Sequence, residues 1–235
     1  MTSPGRDGAR GDAVYYDASG RVPLAARLSL IARRRIYHDF LTLARPQPGE
    51  AILDVGVSAV VTGEANILEQ MYPHREDITC AGLGDGAAVL AAYPGVRFVT
   101  INADAPLPFA DGAFAIATAN AVLEHVGGKE QQSRFLGELL RVGRRVFVSI
   151  PNRWFPVEHH TALALLHYCP SLFRAACRGG RRDHWAKPEN LAFLSAREFY
   201  RLWPGAARVV VRPSGLPLGP LSSNLVALAS YRGSD

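Results

Sequence analysis

The stretch AILDVGVSAVVTGEANILEQM, residues 51–71, reads as a strand, a turn and a helix. Ala51 to Val55 is a short apolar run closed by Asp54-Val55-Gly56. A turn containing Ser58 and Gly63 comes next, and Glu64 to Met71 has the composition of a helix. The same rhythm repeats downstream. Ile78 to Leu83, Val96 to Ile101, Phe114 to Ala119 and Arg145 to Ile150 read as strands, with helices expected at Gly86 to Ala92 and Gln131 to Arg141. Strands alternating with helices predict an α/β fold, a doubly wound and mostly parallel sheet with helices on both faces.

Upstream, Leu24, Leu28, Ile31, Ile36, Phe40 and Leu43 recur near helical spacing from Val22 to Ala44, and Pro46 and Pro48 close that helix. At the other end, Ala207 to Arg212 and Leu225 to Tyr231 are strand-like and joined by the loop SGLPLGPLSS. With no helix between them they can pair only as antiparallel neighbours, which gives about seven strands with an antiparallel last one. The expected organisation is a flexible tail over residues 1–20 and a single domain over 21–235, with a helical cover insertion at about 152–204.

A chain of 235 residues, 48% hydrophobic, can bury one large core without dividing. Cys80, Cys169 and Cys177 form neither a CxxC pair nor a Cys/His cluster. Neither a disulfide frame nor a structural zinc site is expected, and a reducing cytoplasm fits best. The first residues, MTSPGRDGARGDAVYYD, lack the apolar centre of a secretory signal. Thr161 to Cys177 is interrupted by His167, Pro170 and Arg174 and falls short of the roughly 20 residues that cross a bilayer. A net charge of +5 comes from small arginine groups (Arg33 to Arg35, Arg144 and Arg145, Arg178, Arg181 and Arg182) without interleaved aromatics, so a solvated surface is expected rather than nucleic-acid binding.

The first strand-to-helix turn lies where a doubly wound sheet binds its ligand. A dinucleotide GxGxxG turn starting at Gly56 would need glycines at 58 and 61, where the chain has Ser58 and Val61. Phosphate cradling and a nicotinamide-dependent reductase are disfavoured accordingly. Taken alone, Gly56 also suits a tight turn and Asp54 a cap.

The segment beyond the third strand is more specific: Asn102-Ala103-Asp104-Ala105-Pro106-Leu107-Pro108-Phe109-Ala110-Asp111, then the fourth strand and Asn120-Ala121-Val122-Leu123-Glu124-His125-Val126. The LPF and VLEHV strings in this order resemble the class I S-adenosylmethionine-dependent methyltransferases of the small-molecule type. Pro151-Asn152-Arg153-Trp154-Phe155-Pro156-Val157-Glu158-His159-His160-Thr161 is similar to a subgroup carrying PNRWFP-x-E-x-HT. The resemblance implies a Rossmann-like methyltransferase fold, S-adenosylmethionine as cofactor and a small-molecule methyl acceptor. It implies that Asp104 and Ala105 face the adenine, that the turn from Asp54 through Gly56 to Ser58 holds the methionine portion, and that Asn120 and Ala121 lie near the sulfonium. The chain departs from the family in lacking the second and third glycines of the first turn. The acid that usually ends the second strand falls at Gly84, with Asp85 one place later.

Methyl transfer to a hydroxyl needs alignment and a proton acceptor, and histidine is the natural base near neutral pH. His125, His159 and His160 are the candidates, each with a structural alternative: an architectural role for His125, helix capping or pairing with Glu158 for the other two. Glu124 reads as a helix-entry carboxylate. Trp154, Phe155, Tyr168, Phe173 and Trp185 either line an acceptor pocket or pack the insertion. Transfer to oxygen of a sugar, natural-product or quinone-like acceptor is slightly favoured. The reading from a different class is a non-catalytic binding or partner subunit that keeps the fold.

Overall fold

The computed structural model describes residues 23–61 and 65–231, and the expectations for the tail and for Gly63 lie outside them. Seven strands form one sheet: β1 (Ile52–Val55), β2 (Ile78–Gly82), β3 (Arg97–Thr100), β4 (Phe114–Asn120), β5 (Gly143–Pro151), β6 (Ala207–Ser214) and β7 (Asn224–Tyr231). Their spatial order is β3-β2-β1-β4-β5-β7-β6. Neighbours from β3 to β5 run parallel, and β7 is antiparallel to both β5 and β6. The direct β6-to-β7 loop dictates that reversal, because parallel neighbours need a crossover.

Burial follows position. The central strands β1 and β2 are buried throughout, as expected of strands covered on both faces, whereas the edge strand β6 alternates and accommodates Pro213. One face is covered by α1 (Pro23–Ala44), α2 (Ile67–Met71) and α3 (Ala87–Ala92), through Ile36, Tyr37, Phe40, Leu68 and Val89 packed on Ile52, Ile78 and Phe147. Two of the helically spaced residues of α1, Leu28 and Ile31, are exposed. The other face is covered by α4 (Lys129–Val142) and α6 (Ala196–Arg201), through Leu136, Leu139, Leu140 and Phe199.

Between β5 and β6 the chain makes short turns around α5 (Pro170–Cys177) and a hydrophobic cluster of its own, built on Phe173, Cys177, Trp185 and Leu191. This segment is tied to the sheet by backbone bonds from Arg153 N to Leu194 O (3.1 Å) and from Ala192 N to Glu124 O (2.8 Å). No helix among the described residues is long and apolar enough to cross a membrane. The order of strands reverses between β1 and β4, and a crevice opens outside the carboxyl ends at such a point.

Candidate active site

The turns after β1, β2, β3 and β4 stand at the carboxyl ends of the strands, where an open α/β sheet places its ligand, and form the rim of that position. After β1, Gly56 has φ +90, a conformation that costs glycine nothing, and a Cβ there would stand 2.3 Å from Val122 Cγ2. The β1 turn therefore packs directly on the turn after β4. Asn66, at φ 53, braces the β1 turn: its side-chain carbonyl accepts from Ser58 N (3.1 Å) and its amide donates to Ser58 O (2.9 Å).

Asp54 lies beneath this turn and is buried. Burial, then the nearby Glu69 carboxyl, raises its pKa well above the usual aspartate range, and it donates a hydrogen bond to Glu69. Cys80 Sγ donates to Glu69 Oε1 at 3.3 Å. Asp54 is thus part of a buried hydrogen-bonded group beneath the turn, which its position in the motif did not reveal.

After β2, Asp85 is exposed, and its Oδ1 accepts from Ala87 N (3.1 Å), capping α3. Thr100 Oγ1 holds Gly84 O at 2.8 Å, and a Cβ on Gly84 would meet only Ala59, at 4.0 Å, so there is open space above the end of β2. After β3, Asp104 and Ala105 are exposed on a turn closed by Asp104 N to Asn102 Oδ1 (3.0 Å) and Ala105 N to Asn102 O (3.2 Å).

The LPF segment beyond is fastened by a residue that the sequence did not single out. Arg141 donates to the carbonyls of Phe109 (2.7 Å) and Leu107 (2.9 Å) while pairing with Glu138 and Asp111. A planar guanidinium can make all of these bonds at once. After β4, Asn120 Oδ1 accepts from Ser149 Oγ (3.0 Å), and Ala121 adopts φ 55. The rim loops 56–61, 83–86, 101–106 and 120–122 contain no lysine or arginine.

Beside this rim is a chamber of imidazoles and carboxylates. His125 Nδ1 is 2.8 Å from Asn190 O and His160 Nδ1 is 2.9 Å from Glu158 Oε1. The two rings meet edge to face at 4.9 Å, and Trp185 lies against both, at 5.8 and 4.6 Å. Burial, reinforced by His160, lowers the His125 pKa to about 3; burial lowers that of His159 to about 4. Burial opposes ionisation of Glu158, but the electrostatic influence of the adjacent His160 and bonds from His160 and Thr161 outweigh it and hold this carboxyl below the usual range.

Glu124, expected at a helix entry, instead sits in the 3-10 turn Leu123–His125. It is 1% exposed with neither carboxylate oxygen hydrogen-bonded, and burial raises its pKa to about 7. The N-cap of α4 is Gly128, so Glu124 does not cap that helix. His159 lies against Phe155 at 5.5 Å. Of the five aromatics, Phe173 and Trp185 are buried in the segment's own cluster and Trp154 is exposed, with its carbonyl accepting from Tyr168 Oη (2.8 Å). A cleft of about 180 Å³ is lined by Trp185 together with Arg153, Phe173, Arg174, Lys187 and Phe193 among others. That volume is below the ~300–1,000 Å³ of sites that enclose a whole small molecule.

Residues 62–145 match a family model described as a methyltransferase domain. The match begins just after the Asp54–Ser58 turn and covers β2 through the start of β5. No curated protein matches the chain in sequence. Among solved structures, a protein of Pyrococcus horikoshii OT3 is similar with a TM-score of 0.59 at 9% identity, over 94% of this chain and 96% of the other. The plantazolicin methyltransferase BpumL, in complex with S-adenosylhomocysteine, gives 0.57 at 13% identity, over 97% and 92%. The magnesium protoporphyrin IX methyltransferase of Synechocystis PCC 6803, with S-adenosylhomocysteine bound, gives 0.56 at 14% identity, over 96% of both chains. At these identities the likeness is one of fold. The strand order and reversed β7 are thus a fold that the chain shares with methyltransferases solved with S-adenosylhomocysteine bound, and residues 62–145 match the methyltransferase domain model.

Proposed function

We propose that the protein transfers the methyl group of S-adenosylmethionine to an oxygen of a small-molecule acceptor. The observation that carries this reading is the chemistry of the rim. Four turns converge at the strand-order reversal and offer the carboxylates of Asp85 and Asp104 and the amide of Asn120, with no basic side chain. These acceptors suit a ligand that offers amino and hydroxyl donors, as an adenosine does, while the first turn has Ser58 and Val61 where a pyrophosphate-binding turn has glycines.

In this reading Asp104 accepts the adenine amino group and Ala105 packs beside the ring. Asp85 offers the ribose its second carboxylate oxygen, because the first is engaged by Ala87 N. The turn from Gly56 to Ser58 receives the methionine portion, with Asp54 supporting it from below, and Asn120 and Ala121 stand at the sulfonium. The cofactor supplies an electrophilic methyl group; the chain's own task is alignment, exclusion of water and removal of one proton. The proton acceptor lies in the histidine chamber, where His159 and His160 are the candidates and His125, anchored to Asn190 O, positions the wall.

Transfer of labelled methyl to a panel of hydroxylated sugars, phenols and quinols tests the reading. Turnover on an oxygen acceptor is expected, with His159→Gln or His160→Gln lowering kcat while leaving cofactor affinity intact. Cofactor binding with no transfer to any acceptor would point to a partner subunit instead.

A further inference from the structure

Three side chains in the chamber come from two separate parts of the chain, yet one donor atom from each of Glu124, His125 and His160 lies within 4.8 Å of the others. The separation between His125 Nε2 and Glu124 Oε1 is 3.9 Å. A tetrahedral ion with bonds of about 2.0–2.1 Å holds its donors roughly 3.4 Å apart, so this cluster needs only a small contraction to close on one.

Both imidazoles are already oriented as metal ligands are. A carbonyl and a carboxylate can only accept, so Nδ1 of His125 donates to Asn190 O and Nδ1 of His160 donates to Glu158. The Nε2 lone pair of each neutral ring is then directed elsewhere. This pairing of a ligand imidazole with a carbonyl or carboxylate behind it is the usual outer support of metal-bound histidine. Glu124 supplies the independent observation. It is 1% exposed, and neither oxygen has a hydrogen-bond partner among the described residues, a costly state for a carboxylate unless something binds it.

The geometry points to a site for one divalent transition-metal ion, of the zinc or iron(II) class, held by Glu124, His125 and His160. Two imidazoles and one carboxylate suit these ions better than magnesium or calcium, which prefer oxygen donors. The charges also balance: two neutral histidines, with Glu124 and Glu158 as carboxylates, offset a dication. Three protein ligands leave one position open to water or an acceptor oxygen, as in catalytic rather than closed structural sites. The ion would join the turn after β4 to the segment between β5 and β6. The inference deepens the proposed function, because with an ion bound His160 is a ligand and His159 remains as the proton acceptor.

The test is titration of the metal-stripped full chain with Co2+, read by its visible d–d absorption and by competition with Zn2+. One Co2+ per chain with the strong absorption of a low-coordinate site is expected. His125→Ala and His160→Ala should abolish it, and Glu124→Gln should weaken it without emptying the chamber. Glu158→Gln, which leaves all three ligands in place, should weaken it by about 10–100-fold. Absence of saturable Co2+ binding in the wild type would overturn the site, as would unchanged affinity in a folded His160→Ala or Glu124→Gln variant. Titration of the same preparations with S-adenosylhomocysteine keeps the two readings apart: a chain that binds it but takes up no Co2+ loses the ion and keeps the transferase.

Discussion

The rim at the carboxyl ends of the strands, proposed to hold the cofactor, and the histidine chamber adjoin one another and are built in opposite ways. On the rim, Asp85 and Asp104 are exposed and their turns are held by bonds within two residues: Asp85 Oδ1 accepts from Ala87 N, and Asp104 N donates to Asn102 Oδ1. In the chamber the groups are largely buried and are brought together from distant parts of the chain: His160 pairs locally with Glu158, but His125 is oriented by Asn190, 65 residues on, and Trp185 closes against both rings. A site made of local turns can be read from short strings. One made by packing a separate segment onto a sheet cannot, because its chemistry depends on which distant side chains desolvate one another.

The largest effect that would sharpen this contrast is at the rim's tightest point. Gly56→Ala meets backbone strain of about 1–3 kcal/mol at its positive φ and an overpacking cost of about 1–3 kcal/mol against Val122. Denaturant unfolding should show the sum, and adding Val122→Ala should recover only the second part. Full recovery in the double variant would mean that the turn tolerates a side chain.

Trp185→Ala removes a ring that is 1% exposed and should cost about 3–5 kcal/mol. Hydrogen exchange should localise that loss to residues 152–195 and leave the central strands protected. Uniform loss across the sheet would contradict the separateness of the two regions.

Smaller effects concern binding alone. Asp104→Ala should weaken S-adenosylhomocysteine binding by about 1–3 kcal/mol through loss of a hydrogen bond to the adenine. Asp85→Ala should weaken it by only about 0.5–1.5 kcal/mol, since one of its oxygens is committed to Ala87 N. If the order were reversed, with Asp85 the greater contributor, the capping bond to Ala87 would have to yield to the ribose when the cofactor binds.

The contrast also explains what the sequence disclosed. Every strand was legible within one or two residues because each is a short apolar run bounded by turn residues, and the β6–β7 reversal came from the lack of a helix between them. The strand order was not read from the strings themselves; the LPF and VLEHV resemblance implied only a Rossmann-like methyltransferase fold, and the order came with the structure. The supports were not legible. Nothing in the spacing of Asp54, Glu69 and Cys80 shows that they form one buried hydrogen-bonded group, and nothing in α4 marks Arg141 as the fastening of Leu107 and Phe109. Glu124, expected at a helix entry, lies instead in the chamber wall, because α4 starts only at Lys129 and the segment around Asn190 covers the turn after β4.

The most direct measurement is calorimetric titration of the full chain with S-adenosylhomocysteine, with NADH as the competing probe. One molecule of S-adenosylhomocysteine per chain, undisturbed by NADH and weakened in Asp104→Ala, is the predicted result. Saturable binding of NADH at the rim, or no binding of S-adenosylhomocysteine at all, would contradict it.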